Sequence, residues 1–100
     1  MVKHIVLFQF RADVDEQTRK EVRERFRNKI LGLRAHLNII RKVEVGFNLN
    51  PDEKWDICLN SAFDSLDDVR TYSRFPKHQE AANELKPYLN SRSCVDYTVE

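Results

Sequence analysis

The sequence predicts an α+β domain in which a four-stranded antiparallel sheet carries its helices on one face. Strand-like and helix-like segments follow one another in the order β-α-β-β-α-α-β. Apolar residues repeat with a period of two in the strand segments and near 3.6 in the helical ones. A chain of 100 residues has the usual size of one domain, so we expect residues 1–100 to form a single domain.

The first strand is predicted over residues 2–10. Its side chains alternate between two faces. One face carries Val2, His4, Val6, Phe8 and Phe10, and the other carries Lys3, Ile5, Leu7 and Gln9. A strand with one solvated face would alternate apolar and polar residues more cleanly. We therefore expect both faces of this strand to be covered.

A helix is predicted over residues 15–31. Asp13 or Asp15 can cap its N-terminus, and Gly32 can end it. Apolar residues recur at every fourth position from Val22, which makes one narrow apolar stripe. The other faces are highly charged, so the helix is expected to pack along this stripe alone.

Three further strands are predicted in the rest of the chain. They span residues 39–47, 55–63 and 92–99, and the turn-forming run 48–52 separates the first two. In each of them apolar side chains occupy alternate positions. Each strand is therefore expected to have one apolar face.

Two helical segments precede the last strand. Asp64 or Ser65 can cap the first, which reaches about Tyr72 or Arg74. Pro76 is suited to the first turn of a second segment, which reaches about Leu89. The break between them is therefore expected just before Pro76.

This order of elements favours a ferredoxin-like arrangement, with the helices on one face of the sheet. The second face would then be bare, and Ile5 and Leu7 would lie on it. A bare apolar sheet face in a soluble protein predicts a partner. A symmetric homodimer is the simplest partner, and two sheets facing each other would make a closed α+β barrel.

Composition excludes several classes of partner. With 17 basic and 16 acidic residues the net charge is +1, so neither nucleic acid nor an anionic membrane is expected as a partner. No stretch approaches the ~20 apolar residues of a membrane-spanning helix, and residues 1–10 lack the pattern of a secretory signal.

Cys58 and Cys94 lie in no motif. We expect both to be reduced and half-buried in a cytoplasmic protein.

Several short segments resemble one known family. They are VKHIVLF at residues 2–8, VEVGFN at 43–48, WDICL at 55–59 with FDS at 63–65, YSRFPKH at 72–78, and VDY at 95–97. In this order they are similar to the stress-responsive A/B barrel (Dabb) family, and the resemblance spans essentially the whole chain. It implies a small homodimer whose ferredoxin-like subunits pair into a dimeric α+β barrel.

The resemblance also implies a candidate site. A few plant members of the family catalyse intramolecular aldol closure of a linear polyketide in a pocket between sheet and helices. The positions that match their catalytic residues are His4, Tyr72 and His78. The same pocket would be lined by Val6, Phe8, Phe26 and Leu59. No cofactor is implied, and the ligand would be small and apolar or polyketide-like. Phe75 replaces the first histidine of the His-Pro-x-His pattern that family members often carry, so the resemblance does not carry the substrate over.

The chemistry of these residue types suits proton transfer. His78 follows Pro76 by two residues, so it would lie in the first turn of a helix, where the helix dipole disfavours the imidazolium. A neutral imidazole can take a proton next to a carbonyl. Tyr72 could polarise the enolate, and His4 could orient its oxygen. The structural alternative is that Tyr72 packs in the core while both histidines make local hydrogen bonds.

Other chemistries find no support in the sequence. There is no Gly-rich phosphate loop, no Ser-His-Asp or Cys-His pattern, and no pair of carboxylates in an apolar setting. The remaining histidine, His36, precedes the second strand without a third ligand at suitable spacing, so no metal site is predicted. Two other functions stay open: a non-enzymatic stress or assembly protein, and a cofactor-free monooxygenase, an isomerase or a haem-degrading enzyme of the wider dimeric barrel superfamily.

Overall fold

The computed structural model describes residues 1–100. Its strands are β1 (Val2–Phe10), β2 (Lys42–Phe47), β3 (Ile57–Phe63) and β4 (Leu89–Thr98). Its α-helices are α1 (Glu16–Gly32), α2 (Leu66–Arg74) and α3 (Pro76–Leu85), and short 3₁₀ turns span Leu33–Ala35 and Lys86–Tyr88. The predicted order of elements is therefore confirmed.

The four strands form one antiparallel sheet in the order β2-β3-β1-β4. β1 lies between β3 and β4, so its residues 2–8 have a partner on both sides. His4 pairs with Ser61 of β3 and with Asp96 of β4. Paired residues of neighbouring strands lie on the same face of a sheet. The ferredoxin-like arrangement predicted from the sequence is confirmed, with β4 at one edge of the sheet.

The core lies between the helices and one face of the sheet. On β1 the even-numbered positions from His4 to Phe10 are buried, whereas the odd-numbered ones are half-buried. The apolar stripe of α1 packs on this face through Val22, Phe26 and Ile30. Burying a large apolar side chain contributes about 1.5–3 kcal/mol, so this face determines which way the strand is oriented.

The helices leave the other face of the sheet uncovered. Ile5 and Leu7 lie there and are half-buried by their neighbours within the sheet. Val95 pairs with Ile5 and is 52% exposed, while Tyr97 is 46% exposed on the same strand. Within one chain, only one face of β1 is covered by helices.

Local capping determines where the helices begin. The side chain of Asp15, rather than that of Asp13, accepts a hydrogen bond from the Thr18 backbone N–H at 2.8 Å. Ser65, rather than Asp64, caps α2 through Asp68 at 3.1 Å. These side chains satisfy backbone donors that the first turn leaves unpaired.

Several predicted boundaries were wrong by a few residues. β2 begins three residues later than expected, at Lys42, and β3 begins at Ile57. α3 ends at Leu85, because a 3₁₀ turn containing Pro87 follows it. β4 therefore begins at Leu89, three residues before the predicted start. This early start brings residues 89–92 into the sheet next to the end of α3.

The two cysteines lie on opposite faces of the sheet. Cys58 pairs with Leu7 and is half-buried, whereas Cys94 pairs with Val6 and is exposed. The expectation that Cys94 is half-buried was wrong, because it lies on the edge strand where no helix covers it. Both thiols are free, and their opposite faces prevent them from bonding to each other within one chain.

None of the helices has the length and apolar character needed to cross a bilayer.

Candidate functional site

A cavity of about 630 Å³ lies between the sheet and the helices. Six of the residues singled out from the sequence line it: His4, Val6, Phe8, Phe26, Leu59 and His78. Tyr72 does not. The remaining lining residues, which sequence reasoning did not single out, are Ser73, Ala82, Asn83, Lys86, Leu89, Asn90, Ser91 and Arg92. The cavity therefore has an apolar wall, formed largely by the sheet, and a polar wall from α3 and β4.

His4 is held at the base of the cavity by two strands. It is only 4% exposed, and its Nδ1 lies 2.5 Å from Oδ1 of Asp96. An ionised carboxylate can only accept hydrogen bonds, so Nδ1 carries a proton that it donates to Asp96, and Nε2 is the nitrogen left without this contact. The Ser61 hydroxyl donates to the His4 backbone carbonyl at 3.0 Å. The ring is therefore held in one orientation and one tautomer.

His78 lies in the first turn of α3. Phe75 has an extended backbone (φ −61°, ψ 129°) and ends α2, and Pro76 then starts α3, since a residue that precedes proline disfavours the helical region. His78 Nδ1 is buried and has no hydrogen-bond partner. The break between the two helices therefore brings the His78 ring, whose Nδ1 has no partner, to the wall of the cavity.

The environment of His78 keeps its imidazole neutral. Burial lowers its pKa to about 4, electrostatic contributions from His4 and Arg92 act in the same direction, and the nearby backbone of Ser73 opposes them. Sequence reasoning had named the helix dipole, but burial is the largest cause. At neutral pH the ring is unprotonated and can therefore accept a proton, but a pKa this far below neutrality makes it a weaker base than a free imidazole.

Tyr72 packs against the His4 and His78 rings on the side away from the cavity. It is fully buried, its hydroxyl has no partner, and burial raises its pKa above its usual range. Its ring packs edge-on against His78 with a centroid distance of 4.4 Å, and it lies 6.1 Å from the ring of His4. Because its side chain does not reach the cavity wall, the geometry favours a positioning role over direct contact with a ligand.

The polar wall of the cavity is basic. Lys86 and Arg92 line it, and none of the fourteen lining residues is acidic. Sequence reasoning missed both cations because they looked like ordinary surface residues. The signal that could have found Arg92 is the alternation of β4, which places Arg92, Cys94 and Asp96 on the helix side of the sheet.

One group of side chains has the composition of a metal site. His4, Cys94 and Asp96 bring one nitrogen, one sulfur and one oxygen within 4.8 Å of one another. Bonds of about 2.0–2.2 Å in a tetrahedral zinc site would hold a nitrogen and an oxygen ligand roughly 3.3 Å apart. The 2.5 Å contact between His4 and Asp96 fits a hydrogen bond and is too short for two ligands of one ion. In this geometry the group forms a histidine–carboxylate pair.

Comparison with known proteins identifies the family. The model of the stress responsive A/B barrel domain matches residues 2–99. Among solved structures, the chain is similar to a dimeric protein of unknown function with a ferredoxin-like fold from Bacteroides fragilis NCTC 9343. The two share 47% identity with a TM-score of 0.95, over 98% of this chain and 95% of that one. No curated protein matches.

More distant structures share the fold. A dimeric ferredoxin-like protein of unknown function from Thermobifida fusca YX is 22% identical, with a TM-score of 0.81 over 98% of this chain and 90% of that one. The hydroxynitrile lyase from Passiflora edulis is 17% identical, with a TM-score of 0.76 over 99% and 93%. At these identities the likeness concerns the fold alone. The family match and the Bacteroides structure together show that the chain belongs to the stress-responsive A/B barrel family.

Proposed function

We propose that this protein is a homodimer that binds a small, largely apolar or polyketide-like ligand in the cavity, where His78 acts as the general base of a cyclase- or lyase-type reaction. The observation that carries the proposal is the neutral imidazole of His78. Its Nδ1 is buried without a partner, and its ring lines a cavity whose opposite wall is apolar. An unpaired buried nitrogen costs free energy, which a ligand that supplies a partner would recover.

The proposed chemistry begins with proton transfer. His78 takes a proton from the carbon next to a ligand carbonyl, and the electron pair of the broken C–H bond moves onto the carbonyl oxygen. The product of this step is an enolate, whose oxygen accepts hydrogen bonds from the amide groups of Asn83 and Asn90 on the polar wall. His4, whose Nδ1 is held by Asp96, orients the ligand. Tyr72 contributes as a positioning residue, because its ring packs against that of His78. Burial of the site strengthens each of these polar contacts.

The dimer is supported by the uncovered face of the sheet. That face carries Ile5 and Leu7, and the exposed side chains of Val95 and Tyr97 extend it. The relative with 47% identity is described as dimeric. Pairing two such faces would complete the α+β barrel and cover both faces of β1, and the cavity, on the helix side, would stay open to ligand.

The free thiols support a reducing location. Cys58 and Cys94 are unbonded and lie on opposite faces of the sheet. Disulfides are rare in reducing compartments. A cytoplasmic location is accordingly part of the proposal.

Exchange of carbon-bound hydrogen tests the mechanism without knowledge of the natural substrate. The probe is 4-phenyl-2-butanone, a neutral apolar ketone, in D₂O, and loss of its proton signals next to the carbonyl is followed by NMR. We expect the protein to accelerate exchange and His78→Gln to lower the accelerated rate by about 10²-fold or more. His36→Gln removes an exposed histidine and is expected to leave the rate unchanged.

Two outcomes would contradict the mechanism. One is exchange no faster with the protein than in buffer. The other is an unchanged rate in His78→Gln, provided that circular dichroism and gel filtration show that the variant keeps its fold and assembly.

A further inference from the structure

Lys86 and Arg92 are the two cations of the cavity wall, and neither has an acidic partner. No carboxylate lies within 4.0 Å of the charged nitrogens of either residue, and no acid lines the cavity. Of the other fifteen basic residues in the chain, six have a carboxylate partner. The basic residues that do have a carboxylate partner include Arg11, Arg19, Arg23, Lys29, Arg41 and Arg70. The cavity wall thus holds two positive charges that the protein itself does not balance.

Arg92 occupies a defined position in the sheet. It pairs with Phe8 of β1, and both residues line the cavity on the helix side. Its charge acts on His78 and on the Cys94 thiol. The guanidinium therefore lies within electrostatic reach of His78.

We propose that the ligand of this cavity carries a carboxylate, bound by Arg92 with support from Lys86, while its apolar part packs on Val6, Phe8 and Leu59. The inference rests on the proposed function in taking the cavity as the ligand site. A planar guanidinium can donate two parallel hydrogen bonds to a carboxylate. The amide side chains of Asn83 and Asn90 on the same wall supply further donors.

The dimensions of the cavity favour a small monoanion. A volume of about 630 Å³ is typical of a site that encloses one small organic molecule. The chain has no Gly-rich loop whose backbone N–H groups could bind a phosphate. Half of the wall is apolar, which fits a carboxylic acid with an alkyl or aryl chain. Such a ligand would place its carboxylate beside Arg92 and its chain across the face of the sheet.

A matched pair of probes tests the inference. 4-Phenylbutyrate and 4-phenylbutyramide have the same shape and differ in charge, and their affinities for the full chain are measured by isothermal titration calorimetry. We expect the carboxylate to bind about tenfold or more tightly than the amide. Raising the salt concentration from about 20 mM to about 500 mM should weaken only the carboxylate, because salt screens the attraction between charges.

Two substitutions assign the effect to Arg92. Arg92→Gln is expected to weaken carboxylate binding about tenfold and to weaken amide binding much less, because the amide has no charge to lose. Arg74→Gln is the control, since Arg74 is exposed, forms no ion pair and does not line the cavity. It should change neither affinity.

Equal binding of the two probes would overturn the inference, as would an equal effect of both substitutions. Either result leaves the proposed mechanism standing, because exchange of the neutral ketone does not require an anion. Failure of both probes to bind would overturn the inference as well. Failure of the ketone experiment with the carboxylate preference intact would instead refute the mechanism alone.

Discussion

The imidazole of His4 and the carboxylate of Asp96 meet 2.5 Å apart, although ninety-two positions separate them in the chain. The pairing of β1 with the edge strand β4 brings them together. His4 is buried, whereas the Asp96 side chain is 31% exposed. The contact therefore links the core of the sheet to its edge strand, and several predictions concern the residues around it.

Asp96→Asn is expected to lower the free energy of unfolding by about 1–2 kcal/mol, because the buried imidazole loses a charged hydrogen-bond acceptor. Urea denaturation at neutral pH measures the change. Asp52→Asn is the matched control, since Asp52 is exposed in the loop between β2 and β3 and its carboxylate has no partner. Equal stability of the two variants would show that the contact with His4 does not stabilise the fold.

Tyr72→Phe is expected to cost no stability and to gain up to about 1 kcal/mol, because the buried hydroxyl has no hydrogen-bond partner. Tyr72→Ala should instead cost about 3–5 kcal/mol, since it removes a fully buried ring. Thermal or urea unfolding compares the two. A loss of more than about 1 kcal/mol in Tyr72→Phe would mean that the hydroxyl has a partner in solution.

His78 is expected to make stability dependent on pH. Its pKa is lowered from 6.5 to about 4 in the folded protein, mainly by burial. Above pH 6.5 the ring is neutral in both states and there is no penalty. As the pH falls toward 4, the unfolded state binds the proton first, so stability is lost in this window.

The expected loss is about 1 kcal/mol between about pH 7.5 and about pH 5, after allowance for the partial exposure of the ring. Urea unfolding of the wild type and of His78→Gln at both values isolates the contribution, because the carboxylates common to both proteins cancel. His36→Gln should follow the wild type. If His78→Gln loses as much stability on acidification as the wild type, the ring is not protected from protonation by folding.

The uncovered face of the sheet is expected to carry the dimer contact. Leu7→Glu places a charge at its centre and should shift the protein to monomers at low micromolar concentration, since burial of an unpaired charge is unfavourable. Analytical ultracentrifugation measures the mass. Leu49→Glu is the control, because Leu49 is 92% exposed in a loop and should leave the dimer intact. A Leu7→Glu variant that remains dimeric would place the contact elsewhere.

Local patterns were sufficient to predict most of the fold. Period-two alternation in β1 and the break before Pro76 depend only on neighbouring residues, and both predictions were confirmed. The start of β4 at Leu89 was missed for a physical reason. Asn90 and Ser91 have low strand propensity, and their pairing depends on the sheet rather than on their own sequence.

The candidate site was less accessible from the sequence. The histidines and the apolar lining were named by resemblance to the family, and the structure brings them to one cavity except for Tyr72, which stands behind it. Asp96 and Arg92 were not found, because their contacts depend on the register between two strands at opposite ends of the chain. The register of strand pairing depends on the whole sheet, so no local sequence motif indicates it.

The most direct test of ligand binding at His4 and His78 is an NMR titration of the imidazole nitrogens with 4-phenylbutyrate. The chain has three histidines, and the exposed His36 serves as the internal control. We predict that the resonances of His4 and His78 shift as the ligand binds while those of His36 stay in place. Unchanged His78 resonances at saturating ligand would contradict the assignment of this cavity as the functional site.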